Sequence, residues 1–325
     1  MLEVFLWLKN KMNSKDITIM IPTKDRAKFV IELANYYYSI GFQGDILILD
    51  ASEKQETIKL QNLLSEFKSI KVLHTPVGYQ VSIARSLDHI KTNYVACSGD
   101  DDFFFIKGLM NCKKFLEKNQ SFGGVSGLGI LGVYDNDKDI ISNFSIYNIE
   151  KYIDEKKDDR LNKGINTYSV LNLCLHRTSL FKKAFIEYPD EIHPSKHELF
   201  NSFLFLLNEK IGKIDSFYIL RLAHKFNKKF PGDLNYYNDN FIKFFEQKIF
   251  SQLSEDFRIR IKNKNFFYKN LLDKLKDKHK KTSYFSHLAK MIFLRIRYPK
   301  YFKLFFLKNK KFSFGKVSSI SRIIS

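Results

Sequence analysis

From Ile17 to Lys118 the chain alternates short apolar runs with amphipathic segments, and this alternation restricts the fold more than any other feature. Ile17–Ile21, Ile46–Leu49, Lys71–His74 and Tyr94–Cys97 read as strands. The stretches between and after them, Ala27–Ser39, Glu53–Phe67, Val81–Ile90 and Ile106–Lys118, read as helices. In the first of these, Val30, Leu33, Ala34, Tyr37 and Tyr38 recur at helical spacing and share one face. Runs such as Ile46-Leu47-Ile48-Leu49 suit strands buried on both faces, as parallel strands are. A strand–helix series of this kind predicts an α/β fold with a mostly parallel sheet flanked by helices. Ligands of such sheets bind beyond the carboxyl ends of the strands. Three polar clusters follow strand ends here: Thr23-Lys24-Asp25-Arg26, Asp50-Ala51-Ser52 and Asp100-Asp101-Asp102. The topology predicts that they meet at one sheet edge.

Beyond Gly123 the pattern loosens. Gly123–Val133 is glycine-rich and β-like, Asn136–Arg160 reads as a polar surface excursion, and Ser195–Leu207 reads as a helix. After Tyr236 the pattern is almost entirely helical. The expected organisation is an N-terminal extension (1–15), a catalytic domain (16–236) and a helical basic C-terminal extension (237–325). Charge supports that division. From Phe241 to Ser325 there are 22 Lys and Arg against 5 Asp and Glu, so this segment holds nearly all of the net charge of +19. Three scattered cysteines, Cys97, Cys112 and Cys174, lack zinc-like spacing and read as buried free thiols. The apolar run Val4–Leu8 is too short to span a bilayer.

The aspartate triplet is the sharpest chemical signal. Adjacent carboxylates repel, so their charge needs compensation. Two readings fit: a solvated acidic turn, or a hard oxygen site for Mg²⁺ or Mn²⁺. In extended backbone Asp100 and Asp102 can share a side. Ser98-Gly99 permits a sharp turn before them, and Phe103-Phe104-Phe105 would close the floor behind.

Taken in order, Ile19–Arg26, Ile48–Ser52, Gly78 through Ala84-Arg85, and Ser98–Phe103 resemble the nucleotide-diphosphosugar transferase half of the family 2, GT-A type glycosyltransferases. The resemblance runs from about Asp16 to Gly127 and weakens toward His224. It implies a Rossmann-like fold and an enzyme that moves a sugar from a nucleotide-diphosphate donor, UDP-linked, to a hydroxyl; the free thiols fit a reducing cytoplasm. The acceptor expected is a surface glycan or a lipid-linked glycan. Pro22, Thr23 and Arg26 would line the nucleotide pocket, Asp50 would accept from the base, and Arg85 would lie near the diphosphate. Ala51 stands where relatives usually carry a second acidic residue. Asp100 and Asp101 would contact the donor. Asp102, Asp100 and the late His224 would hold Mn²⁺ or Mg²⁺.

Inverting transfer needs a carboxylate to take the acceptor proton. Glu198 is the candidate, in Ser195–Phe200, where relatives carry an acidic pair and this chain has His197-Glu198. The competing reading of Glu198 is first-turn charge facing a helix dipole. Phe226–Asn235, containing Pro231-Gly232, reads as a loop able to close over a donor.

Segment 241–325, densest at Lys290–Lys311, interleaves Lys and Arg with Phe, Leu and Tyr. This suits an anionic membrane surface, with each basic residue there contributing about 1 kcal/mol. The expected location is thus the inner face of the cell membrane, as a peripheral protein. The alternative is that the apolar faces pack on the catalytic domain. Nucleic acid is not an expected partner, since no nucleic-acid-binding signature is visible. A second functional class is a non-catalytic basic membrane- or nucleic-acid-binding protein on a degenerate version of this fold.

Overall fold

In the computed structural model of the 325-residue chain, residues 13–167, 169–185, 194–224, 247–255, 307 and 310–324 are described, with 194–197 and 250 described by backbone alone. The expectations for Val4–Leu8, for Phe226–Asn235 and for most of the basic segment, including the boundary at 236, lie outside these residues.

The first half follows the predicted alternation. Strand β1 (Ile17–Thr23) leads into helix α1 (Ala27–Ser39), β2 (Asp45–Asp50), α2 (Lys54–Leu63), β3 (Ile70–His74), α3 (Tyr79–Ser86) and β4 (Tyr94–Cys97). These strands pair in parallel in the order β4-β1-β2-β3. Their side chains explain the arrangement. Ile17, Ile19, Ile21, Ile48 and Val95 are fully buried, as strands covered on both faces require. The register sets Thr23 level with Asp50, while Met20 lies opposite Cys97. The residues after Cys97 therefore pass beside the end of β1, where the amide of Ser98 donates to the carbonyl of Met20 at 3.1 Å.

The second half departs from a purely parallel sheet. It comprises β5 (Phe103–Phe104), α4 (Ile106–Lys118), β6 (Phe122–Asp135), β7 (Ile140–Tyr147), α5 (Lys157–Asn166), β8 (Leu175–Arg177), α6 (Thr178–Ala184), α7 (Pro194–Asn208) and β9 (Lys210–His224). The segment expected as a surface excursion, Asn136–Arg160, thus holds β7 and the first turn of α5. The connection from β6 to β7 is a short turn, which forces antiparallel pairing. Strand β8 runs antiparallel between β4 and β6, whereas β9 runs parallel to β6 along most of its length. Helix α4 lies against β9 at Gly108, where a Cβ would come within 2.2 Å of the Phe217 carbonyl oxygen. Only glycine permits that approach.

Residues assigned by sequence to the basic extension also enter the sheet. Strand β10 (Phe312–Ser313) pairs antiparallel with β7, and helix α8 (Val317–Ile324) follows. Val317, Ile320 and Ile324 are buried in the main core. Phe314 is 1% exposed and packs against Phe29, Phe103 and Tyr134. For residues 312–324 the packing alternative weighed from the sequence therefore holds. Cys97, Cys112 and Cys174 are buried free thiols, as expected.

Candidate functional site

A cleft of about 740 Å³ opens beyond the carboxyl ends of β1, β2 and β4. Its size lies within the range of small-molecule sites, roughly 300–1,000 Å³. The lining includes Pro22, Thr23, Lys24 and Arg26 after β1, Leu49 and Ala51 at β2, and Pro76–Tyr79 and Ser82 at the start of α3. Cys97 to Asp102 form its inner wall, and Val170, Asn172, Leu173, Glu198 and Arg221 complete it.

The triplet is buried and pinned, not a solvated turn. Asp100 and Asp102 are each 3% exposed. Thr23 Oγ1 donates to Asp100 Oδ2 at 2.6 Å, and Arg26 Nη1 lies 3.3 Å from Asp100 Oδ1. Arg26 Nη2 donates to Asp101 Oδ2 at 2.7 Å while its guanidinium stacks 4.2 Å from the Phe29 ring centre. Arg221 Nε lies 3.3 Å from Asp102 Oδ2, and its Nη1 donates to Tyr147 Oη at 3.0 Å. The β-sheet register produces this last pair. Because Phe103 pairs with Leu220 in antiparallel register, Asp102 and Arg221 fall beside each other at the end of β5.

Three carboxylates thus face two guanidinium groups in a water-poor wall. Burial raises Asp100 to about 6, against the opposing hydrogen bond from Thr23 and the charge of Arg26. Burial likewise raises Asp102 to about 6, with Arg221 opposing and Asp101 reinforcing. Asp101 goes the other way. Burial pushes it up, but the His224 hydrogen bond and the Arg26 charge outweigh burial and hold it below the usual carboxylate range. Burial works against the charge on Arg221, yet Asp102 and Tyr147 more than compensate and hold it raised.

His224, at the end of β9, places Nε2 2.6 Å from Asp101 Oδ2. The same nitrogen lies 3.1 Å from Arg26 Nη2, and Nδ1 lies 3.1 Å from Asn136 Oδ1. As placed, His224 Nε2 contacts Asp101 and Arg26. Among the described residues no three His, Cys, Asp or Glu side chains are arranged to hold one metal ion. The donor chemistry still fits a hard divalent cation. A Cβ at Gly99 would lie 2.9 Å from Asp101 Oδ1 and 3.7 Å from Asp102 Oδ2, so glycine keeps open a hollow shared by two carboxylate oxygens. Mg²⁺ characteristically takes one or two carboxylates and fills its other positions with water and substrate phosphate.

Of the other predicted residues, Pro22, Thr23, Arg26 and Glu198 line the cleft. Glu198 sits near the start of α7, and its charge acts on Arg221, Tyr147 and Tyr79. Asp50 and Arg85 are placed differently. Asp50 is 2% exposed and is absent from the lining, where its neighbours Leu49 and Ala51 appear. Its Oδ1 accepts from the Ser52 amide at 3.0 Å and from Ser52 Oγ at 2.5 Å, and its Oδ2 accepts from Thr57 Oγ1 at 2.8 Å. Ser52 Oγ in turn accepts from the amide of Asp25 at 2.8 Å. Asp50 thus ties the loops after β1 and β2 together and holds Asp25 in its left-handed conformation, φ 55°. Arg85 is exposed on α3 and outside the lining, because the cleft takes only the first turn of that helix, Tyr79 and Ser82. Arg26 and Arg221 are the arginines at the triplet. Sequence reasoning gave no role to Arg221, three residues before His224, nor to Tyr79 or Asn172.

The chain matches no protein-family profile and no curated protein. It is similar to solved structures of S. aureus TarS. The TarS 1–349 structure in complex with UDP-GlcNAc gives a TM-score of 0.51 at 16% identity, over 77% of this chain and 72% of that one. TarS 1–349 alone gives 0.46 at 17% identity, over 64% of this chain and 60% of that one. The chain spans 37% of the longer TarS structure. At these identities the likeness is one of fold: α/β, of the GT-A (Rossmann-like) type, a curled sheet flanked by helices.

Proposed function

We propose that this protein is an inverting, divalent-metal-dependent glycosyltransferase. It moves a sugar from a UDP-linked donor to a hydroxyl of a surface-glycan or lipid-linked acceptor. The observation that carries the reading is the buried Asp100–Asp102 wall, beyond β4 in a ligand-sized cleft and braced by Arg26, Arg221 and His224. The GT-A type fold supports it, as do the UDP and UDP-GlcNAc complexes of TarS.

In this reading the nucleotide lies against Pro22, Leu49 and Ala51 and the diphosphate against the aspartate wall. Asp101 and Asp102 would hold Mn²⁺ or Mg²⁺, which when bound supplies Lewis-acid stabilisation to the departing diphosphate. Arg26, with a side chain 35% exposed, brings a guanidinium whose planar fork suits phosphate oxygens. Thr23 keeps Asp100 oriented. Glu198 takes the proton from the attacking acceptor hydroxyl as the bond between the anomeric carbon and phosphate oxygen breaks.

The test is release of UDP from UDP-sugars in the presence of Mn²⁺, with and without acceptor. Asp102→Asn should lower turnover by about a hundredfold or more, the scale of losing one preorganised electrostatic contact. Activity that survives this change, or that is insensitive to chelator, overturns the reading.

The basic segment supports peripheral attachment to the inner face of the cell membrane. No helix among the described residues is long and apolar enough to cross a membrane. Since residues 312–324 join the sheet, charge-neutralising changes at Arg295, Arg297 and Lys303 are a cleaner test than truncation. Co-sedimentation with anionic liposomes should fall, and unchanged binding would reject the membrane role.

A further inference from the structure

Two buried polar atoms of the cleft wall have no partner. Ser98 and Asn172 are 3% and 1% exposed, yet Ser98 Oγ and Asn172 Oδ1 make no hydrogen bond. Other unpaired buried atoms, such as those of Ser126, Thr178 and Tyr218, belong to residues away from the cleft. Native proteins leave few buried acceptors bare, and a bare one at the wall of a ligand-sized cleft is explained by a ligand that supplies the donor.

Asn172 Nδ2 donates to Tyr79 Oη at 2.9 Å. The NH₂ end of the amide is thereby used within the protein, and the carbonyl oxygen Oδ1 is the end without a partner.

The turn carrying Asn172 is held rigid. The Leu171 carbonyl accepts from His176 Nε2 at 2.8 Å and from the Cys174 amide at 2.9 Å. Ser202 Oγ accepts from the Leu171 amide at 3.3 Å. Asn201 Nδ2 donates to Gln80 Oε1 at 2.6 Å, which locks α7 to α3 beside Tyr79. The backbone on either side of Asn172 is thus held in place before any ligand arrives. Asn172 lies at the Glu198 end of the cleft, since the Glu198 charge reaches Tyr79. In the reading above, that end receives the sugar.

We infer that Asn172 Oδ1 accepts a hydrogen bond from a hydroxyl or amide N–H of the transferred sugar, and so selects among nucleotide-sugar donors. The inference rests on the proposed transferase reading. It goes beyond that reading in naming the atom that recognises the sugar and the chemistry it requires. Sites built to meet a particular hydrogen-bonding group reject analogues that lack it, because the protein atom is then left unpaired.

The test is calorimetric binding of UDP, UDP-GlcNAc and UDP-glucose to the full chain with Mg²⁺. Asn172→Leu keeps the volume and removes the acceptor. It should weaken UDP-sugar binding about tenfold while leaving UDP within about twofold. Loss confined to UDP-GlcNAc assigns the contact to the acetamido N–H, and loss with both sugars assigns it to a hydroxyl. Tyr79→Phe leaves Asn172 in place but frees its amide, and should weaken the sugars about threefold without changing UDP. This second variant decides the matter if Asn172→Leu lowers the melting temperature. Equal weakening of UDP and UDP-sugars, or unchanged sugar binding in both variants, overturns the inference. So does a parent that binds UDP and none of the sugars. A parent that binds neither UDP nor UDP-sugars refutes the transferase reading itself, and this inference with it.

Discussion

Removing Arg221 should expose how much the aspartate wall depends on its guanidinium partners. The Arg221 side chain is 28% exposed and that of Asp102 4%. Deleting one partner of a fully buried ion pair costs about 3–5 kcal/mol, because the other charge is left without compensation. Arg221 retains some solvent, so about 2 kcal/mol is the appropriate share here. Arg221→Met also loses the hydrogen bond to Tyr147 and the stacking of its guanidinium 4.9 Å from that ring centre. Those contacts add about 1 kcal/mol, for a total near 3 kcal/mol. Asp102→Asn alone should cost about 1 kcal/mol or less, since the amide oxygen still accepts from Arg221 and the repulsion from Asp101 is relieved. In the double variant no unpaired buried carboxylate remains. The cycle should therefore show a coupling of about 2 kcal/mol. The assay is urea unfolding at neutral pH with chelator present, so that no added cation replaces the arginine. Additive effects, with coupling below about 0.5 kcal/mol, would show that Asp102 does not rely on Arg221 and would refute the reasoning.

Glu209 is 4% exposed, has no hydrogen-bond partner on either carboxylate oxygen, and lies 3.9 Å from His176 Nδ1. Burial raises it, so its folded-state value lies above the unfolded one and stability falls as pH climbs from the unfolded value of 4.5 through the folded one. Glu209→Gln should melt progressively higher than the parent over that window, and a pH-independent difference would contradict the assignment. Thr57→Val removes one donor from buried Asp50, and should cost about 1–2 kcal/mol and weaken UDP binding through the loosened loops, as calorimetry would report. Phe314→Ala should cost about 3 kcal/mol or more by denaturant unfolding, and a loss below about 1 kcal/mol would mean that its aromatic contacts contribute little.

The sequence made the parallel half of the fold legible because its signals are local. Each of β1 to β4 is a short apolar run followed by a helix, and the strand ends bring the polar clusters together without further information. The long β6–β9 pairing joins segments nearly ninety residues apart with no local signature, and it was not foreseen. Arg221 was overlooked for the same reason, since only the Phe103–Leu220 register places it on Asp102. Asp50 shows a different limit. Its position beyond β2 was legible, but the use of its oxygens was decided by two hydroxyls, Ser52 and Thr57, whose positions at +2 and +7 were a readable hint of a loop-closing carboxylate. For Arg85 the helix was right, and only the depth of the cleft along it was missing. Composition misled at residues 312–324, where a basic segment delivers Phe314, Ile320 and Ile324 to the core.

That late contribution bears on how the protein is made. Phe312 pairs with Ile141, a partner synthesised about 170 residues earlier, which at 5–20 residues per second is a wait of roughly 10–30 seconds. Until β10 and Phe314 emerge, the rings of Phe29 and Tyr134 lack the cover they have in the finished fold. A nascent chain stalled before residue 312 should carry this aromatic face uncovered next to Arg26 and His224, and would be a natural client for chaperones that bind exposed aromatic surface.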